Sequence, residues 1–255
     1  MSAWHFVRGC CICHLYRLED FNIFGDVIIL RYEIMDAVDI LNKHVAFYEF
    51  LGHKECSRRT LFSILNDIRK GVHADAVLKL RKNVDNVQLY RNQKKRLPSV
   101  CFCGIFWGSH YKYDVNLYTN LLVIDIDYIK NDRLEIKRLL MNDPKIVAVW
   151  NSVSGQGLKA LLYINYLSAV LPENIWVVHE MCAFPQVQKY LKESYGINID
   201  PSGKDVTRYC FMSYDPDIFL RKEFDVFDVT VDLSEVSICK IKKRYLNRKY
   251  YKIGL

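Results

Sequence analysis

Three observations predict an α/β or α+β fold for this 255-residue chain. Apolar runs at 121–127 (LLVIDID), 145–150 (KIVAVW) and 158–164 (LKALLYI) have the length and depth of buried strands. Leu61, Ile64, Leu65 and Ile68 recur at helical spacing, as do Leu134, Ile136, Leu139 and Leu140. Strands and helices then alternate along the chain, which points to a sheet flanked by helices.

Taken in order, residues 1–43 form an N-terminal extension of irregular composition. Met35 opens a smoother stretch and could itself be a translation start, so the preceding segment reads as a family-specific extension or a misplaced start. Thr60 is placed to cap the 61–68 helix and Gly71 to stop it. A shorter helix follows from Ala74 to Leu80. The stretch 88–96 is strongly basic, and after Pro98 the run SVCFCGIF reads as one strand. Asp132 can cap the helix that Pro144 ends. NSVSGQG is a loop between two strands. Residues 173–195 read as a helix interrupted or kinked at Pro185. INID (197–200) and TRYCFMS (207–213) are further expected strands, and YDPD a turn.

Composition excludes several classes. With 51% hydrophobic residues, 11 Gly and 6 Pro, the chain is neither disordered nor of low complexity. No run approaches the roughly 20 apolar residues of a membrane span. The 36 Lys and Arg against 29 Asp and Glu give a formal charge of +7, which permits a polyanionic partner. Lys240, Lys242, Lys243, Arg244, Arg248, Lys249 and Lys252 are interleaved with Tyr245, Tyr250 and Tyr251. That mixture suits phosphates and stacked bases, or a solvated tail. Nine cysteines without a credible signal peptide suggest a reducing compartment, hence a cytoplasmic protein. Cys10 and Cys13, beside Cys11 and His14, have zinc-knuckle spacing that Cys101 and Cys103 could complete; free, reduced, mostly buried cysteines are the expectation. Trp107 and Tyr113 read as packing residues, with base stacking the alternative.

Chemistry concentrates at strand ends. Asp125 and Asp127, at i and i+2, share one face of a strand, where two carboxylates repel unless a cation neutralises them. A divalent metal is one solution, two acids entering a turn the other. Ser152–Lys159 (SVSGQGLK) offers two glycines, the Ser154 hydroxyl and the Lys159 ammonium to an anion; it also reads as a plain hairpin turn, and it is not a Walker A loop. Asp200 ends another short apolar stretch and can add a third carboxylate, while Arg208 can clamp a phosphate. The alternative there is an Asp-Pro turn with a surface Arg. In this order the pieces suit two-metal nucleotidyl transfer.

LLVIDID, SVSGQGLKALLYI and INIDPSGKDVTRYCFMSYDPDIF resemble the successive motifs of the primase-polymerase-like domain at the N-terminus of virulence-associated E proteins. KKRLPSVCFCGIF resembles that family's upstream K-x-x-L-P segment. This domain, a branch of the archaeo-eukaryotic primase superfamily, is found in Bacteroides-type mobile elements and phages. The likeness runs from about His44 to Phe227, leaving 228–255 as a basic C-terminal segment. It implies a primase-polymerase-type core with a mixed or antiparallel sheet, preceded by a small helical N-terminal region. It further implies Asp125, Asp127 and Asp200 as catalytic ligands of Mg²⁺ or Mn²⁺, with Asp205 as the alternative third acid. Ser154, Gly155, Gly157, Lys159 and Arg208 would contact a nucleoside triphosphate. The partners would be a single-stranded DNA template and nucleoside triphosphates, with either a helicase acting in trans or a minimal copy that lacks one. Lys159 departs from the superfamily, whose second motif usually carries His; lysine keeps the positive donor and loses the titratable ring. The rival expectations are a non-catalytic nucleic-acid-binding replication module and a metal-dependent glycosyltransferase.

Overall fold

The computed structural model describes residues 35–53, 55–106, 110–112, 114–127, 133–167 and 175–231. The cluster Cys10, Cys11, Cys13 and His14, the aromatics Trp107 and Tyr113, the cap candidate Asp132 and the basic segment 240–252 lie outside the described residues. In chain order the elements are β1 (Met35–Asp36), α1 (Ala37–Leu41), β2 (His44–Tyr48), β3 (Ser57–Thr60), α2 (Leu61–Lys70), α3 (Ala74–Lys82) and α4 (Val87–Lys94). Next come β4 (Ser99–Cys101), β5 (Gly104–Phe106), β6 (Val115–Tyr118), β7 (Leu121–Ile126), α5 (Arg133–Asn142), β8 (Ile146–Asn151) and β9 (Leu158–Tyr166). Then α6 (Ile175–Val178) runs through a π-helical turn, His179–Ala183, into α7 (Phe184–Tyr195). A 3-10 turn (Pro201–Lys204) precedes β10 (Cys210–Phe211), β11 (Phe219–Leu220), β12 (Glu223–Phe224) and β13 (Phe227–Val229).

The α+β expectation holds, with antiparallel sheets flanked by helices. β9 is the centre of the larger sheet. It pairs antiparallel with β7 and β8 over the same residues, so these lie on its two edges. β11 adds to β8, and β13 runs parallel to the end of β9. A second sheet has the order β10-β4-β2-β3, antiparallel throughout. The short ladders β1–β12 and β5–β6 are separate.

Side chains on β7 alternate between two cores. Leu121 and Val123 pack with Val45, Phe47 and Val100 of the smaller sheet and with Ile64, Leu65 and Ile68 of α2. Leu122, Ile124 and Ile126 pack with Leu140 of α5 and with Phe184, Val187 and Leu191 of α7. A sheet covered on both faces needs apolar residues at every position, which is why these strands read as unbroken apolar runs.

Local signals account for most element ends. The Thr60 hydroxyl accepts from the Ser63 N–H at 3.2 Å, and Gly71 closes α2 at φ 73°. The kink expected near Pro185 is the π turn: the Phe184 N–H reaches back five residues to the His179 carbonyl. Proline lacks the N–H that would continue the regular ladder there.

Three expectations change. SVCFCGIF is not one strand but β4 and β5 in different sheets, because the chain turns at Phe102 and Cys103. Both of those residues are buried, so apolar character continues through the break. INID enters no ladder, and TRYCFMS contributes only Cys210 and Phe211 to a strand. The basic stretch holds a helix, α4, capped by Asn86 accepting from the Leu89 N–H at 3.1 Å. α4 buries no residue, so it lacks the apolar period that announces a helix.

Candidate active site

The acids begin where the core ends. On the face of β7 that carries Leu121 and Val123, the next residue is Asp125, directly opposite Lys159 of β9. The Lys159 Nζ donates to Asp125 Oδ2 at 2.5 Å, and the two side chains are 11% and 18% exposed. Burial disfavours the ammonium, but Cys210, Asp125 and its hydrogen bond outweigh that, and the Lys159 pKa lies above its ordinary value. Asp125 Oδ1 is buried with no partner among the described residues. Asp127 lies one residue past the strand, exposed, and its pKa is raised by partial desolvation and by the charges of Asp125 and Asp200.

Asp200 reaches the same place from α7. Gly196 ends that helix at φ 68°, and the chain then extends until the Asp200 N–H meets the Asp125 carbonyl at 2.8 Å. The Asp200 carboxylate caps the 3-10 turn, accepting from the Ser202 N–H at 2.9 Å and the Ser202 hydroxyl at 2.5 Å. Arg208 Nη2 stands 3.5 Å from its Oδ2. Desolvation pushes the Asp200 pKa up, but the Ser202 bonds, Arg208 and Lys159 together hold it below the ordinary value. One oxygen from each of Asp125, Asp127 and Asp200 lies within 4.8 Å of the others. Asp205 turns away to accept from the N–H and hydroxyl of Thr207, at 2.9 and 2.8 Å. Three hard oxygen donors, one of them buried and orphaned, form a donor set that a hard divalent cation can use.

The Ser152–Gly157 loop is the β8–β9 hairpin connection. The N–H groups of its last three residues are engaged within the loop. The Gly155 N–H bonds the Ser152 carbonyl at 3.0 Å, the Gln156 N–H the Ser154 hydroxyl at 3.2 Å, and the Gly157 N–H the Ser152 hydroxyl at 3.1 Å. The glycines have steric reasons. Gly155 sits at φ 75°, and a Cβ on Gly157 would lie 2.7 Å from the Ile126 carbonyl. From behind, Arg81 donates to the carbonyls of Ser152 (3.2 Å), Val153 (3.2 Å) and Tyr214 (2.8 Å). Arg133 donates to Asn151 Oδ1 and the Gly155 carbonyl.

Asp125, Asp127, the loop and Lys159 line a cleft of about 990 Å³. Its other walls are α4, with Tyr90, Arg91 and Lys94, and the segment carrying Arg208, Tyr209 and Phe211. His110 stacks on Tyr209 at 4.2 Å between centroids. Its Nε2 is 2.6 Å from the Thr207 carbonyl, which can only accept, so Nδ1 is the acceptor for the Tyr48 hydroxyl at 2.7 Å. Burial holds its pKa below the usual histidine value.

Asp125, Asp127, Ser154, Gly157, Lys159 and Arg208 line one cleft, as does Asp205, which stays outside the carboxylate cluster; Asp200 joins the cluster without lining the cleft, and Gly155 does not line it. Arg81, Lys94 and His110 were not singled out. The basic run 88–96 and the K-x-x-L-P segment, whose lysine is Lys94, hinted at that residue without a role; Arg81 and His110 sit in stretches without a motif. Cys101, Cys103 and Cys210 are free and buried, and burial pushes the Cys103 thiol up to about 12, as expected of inert packing cysteines. No helix among the described residues is long and apolar enough to cross a membrane.

A family model described as "BT4734-like, N-terminal domain" matches residues 92–220, a span that includes the three carboxylates, the loop, Lys94, Lys159 and Arg208. No curated protein and no solved structure matches the chain.

Proposed function

We propose that this chain, which belongs to the BT4734-like N-terminal domain family, is a metal-dependent nucleotidyltransferase of the primase-polymerase kind that extends nucleic acid on a single-stranded DNA template. The observation that carries this reading is the convergence of Asp125, Asp127 and Asp200 from two separate stretches onto one point of a basic cleft. The motif likeness to the primase-polymerase-like domain of virulence-associated E proteins supports it. Asp125 Oδ1, Asp127 and Asp200 would hold Mg²⁺ or Mn²⁺; when bound, the metal lowers the barrier to attack of a 3′-hydroxyl on a triphosphate. Lys159 holds Asp125 Oδ2 in place, and its buried charge balances one carboxylate before any metal enters. Arg208 and Ser202 hold Asp200 in place.

Primer extension on a single-stranded template with Mg²⁺ or Mn²⁺, using ribo- and deoxyribonucleotides in turn, tests this reading. Wild type should extend, and an Asp125→Asn/Asp127→Asn variant should not. A wild type that binds template but never extends defeats it.

A second reading draws on the Lys159–Asp125 pair, which satisfies Asp125 Oδ2 without a metal. A non-catalytic template-binding module would keep its DNA affinity in Asp125→Asn and show no metal-dependent chemistry.

A further inference from the structure

The cleft contains an ammonium that no side chain among the described residues bonds. Lys94, in the last turn of α4, is half-buried and lines the cleft. Its Nζ is 5.4 Å from the centre of the Phe211 ring and 5.8 Å from that of Tyr90. It makes no hydrogen bond or ion pair among the described residues; of the two carboxylates whose charge it feels, Asp125 is bonded to Lys159, and Asp127 forms no ion pair with it. A partly desolvated cation is normally paired, so an unpaired one facing a cleft marks the place of an anion. Arg91 is one turn earlier on the same face of α4, exposed and likewise without a partner, and Arg208 lines the same cleft.

Across the cleft, the N–H groups of Gly155, Gln156 and Gly157 are all engaged within their loop. An anion above the carboxylates finds none of these three donors free, which leaves side-chain cations as the charged groups to meet it. Several cations spread around one metal-type cluster suit a chain of phosphates better than a single phosphate. We propose that Lys94, assisted by Arg91, binds the triphosphate of the incoming nucleotide and is the principal phosphate contact of the site. This rests on the nucleotidyltransferase reading above. The Tyr90 and Phe211 rings hold the lysine stem extended over the cleft, and burial together with the Lys159 charge lowers the Lys94 pKa, as expected of a cation placed to receive an anion.

The test is binding, not turnover. A fluorescent ATP analogue, inorganic tripolyphosphate and a labelled single-stranded oligodeoxynucleotide are titrated into wild type, Lys94→Met, Lys94→Arg and Arg91→Ala, all with Mg²⁺. Lys94→Met keeps the apolar stem over the rings, and Lys94→Arg keeps the charge. The expected result is a loss of about tenfold or more for ATP analogue and tripolyphosphate in Lys94→Met, corresponding to one charge-assisted bond. Lys94→Arg should recover most of that loss, Arg91→Ala should weaken binding by a smaller factor, and oligonucleotide affinity should change less than about twofold in each. Arg91, exposed and unbonded, provides a variant whose folding is not at issue. Unchanged triphosphate affinity in Lys94→Met overturns the inference while leaving the function reading intact. Lost oligonucleotide affinity with unchanged triphosphate affinity overturns it in favour of a template phosphodiester. A wild type that binds neither ATP analogue nor tripolyphosphate removes the nucleotidyltransferase reading with it.

Discussion

Two flanks of one cleft use their polar groups in opposite ways. The Ser152–Gly157 loop, rich in glycine and serine, turns the N–H groups of Gly155, Gln156 and Gly157 onto itself and is braced from behind by Arg81 and Arg133. Helix α4, which carries no glycine and no fully buried residue, leaves Arg91 and Lys94 without a partner among the described residues. A loop of this composition is thus a rigid spacer between β8 and β9, and the cations that remain available come from a helix. Flexible-looking sequence need not mean an open ligand cradle, since each backbone donor has to be followed to its acceptor.

The strongest way to break this contrast is at the brace. Arg81→Ala leaves the carbonyls of Ser152, Val153 and Tyr214 without their donor. It should destabilise the fold by about 3 kcal/mol, lowering Tm by roughly 6–12 °C. Calorimetry showing less than about 1 kcal/mol would mean the loop stands without it.

A region away from both flanks gives the next effect. His179, fully buried in the π turn, shares a 2.7 Å hydrogen bond with the Tyr118 hydroxyl, and burial pushes its pKa down to about 4. Its folded pKa lies below the unfolded value of about 6.5, so its contribution is complete above pH 6.5 and is lost as pH falls toward 4. Urea unfolding should show about 2 kcal/mol less stability at pH 5 than at pH 7 from this group. His179→Gln should flatten that slope; equal slopes in both proteins would rule the histidine out as its source.

Smaller still, Gly155→Ala forces a side chain into the left-handed region and toward Arg81. The expected loss is about 1 kcal/mol by chemical denaturation. Smallest is Arg91→Ala, whose stability should stay within about 0.5 kcal/mol of wild type. A large loss there would show that α4 is structural and erase the contrast.

The sequence made the sheet legible because β7, β8 and β9 are buried on both faces and read as apolar runs. α2 was equally plain, since Thr60, Gly71 and four apolar positions agree. The acid trio was legible for a related reason: Asp125, Asp127 and Asp200 interrupt or end apolar stretches, where a charge needs a purpose. α4 was not, because a solvated helix without an apolar stripe carries no period. The split of SVCFCGIF was hidden by the burial of Phe102 and Cys103 through the turn. The internal closure of the loop depends on which donor meets which acceptor, and composition does not encode that. The Arg81 brace joins residues 71 to 133 positions apart, which no local pattern shows.

The most direct test of the central claim is Mn²⁺ binding, followed by electron paramagnetic resonance with and without a nucleoside triphosphate, in wild type and in Asp125→Asn/Asp127→Asn. The account predicts saturable binding by wild type, tightened by the triphosphate, and a loss of about 100-fold or more in the variant. Equal binding by both proteins, or none by wild type even with triphosphate, would contradict it.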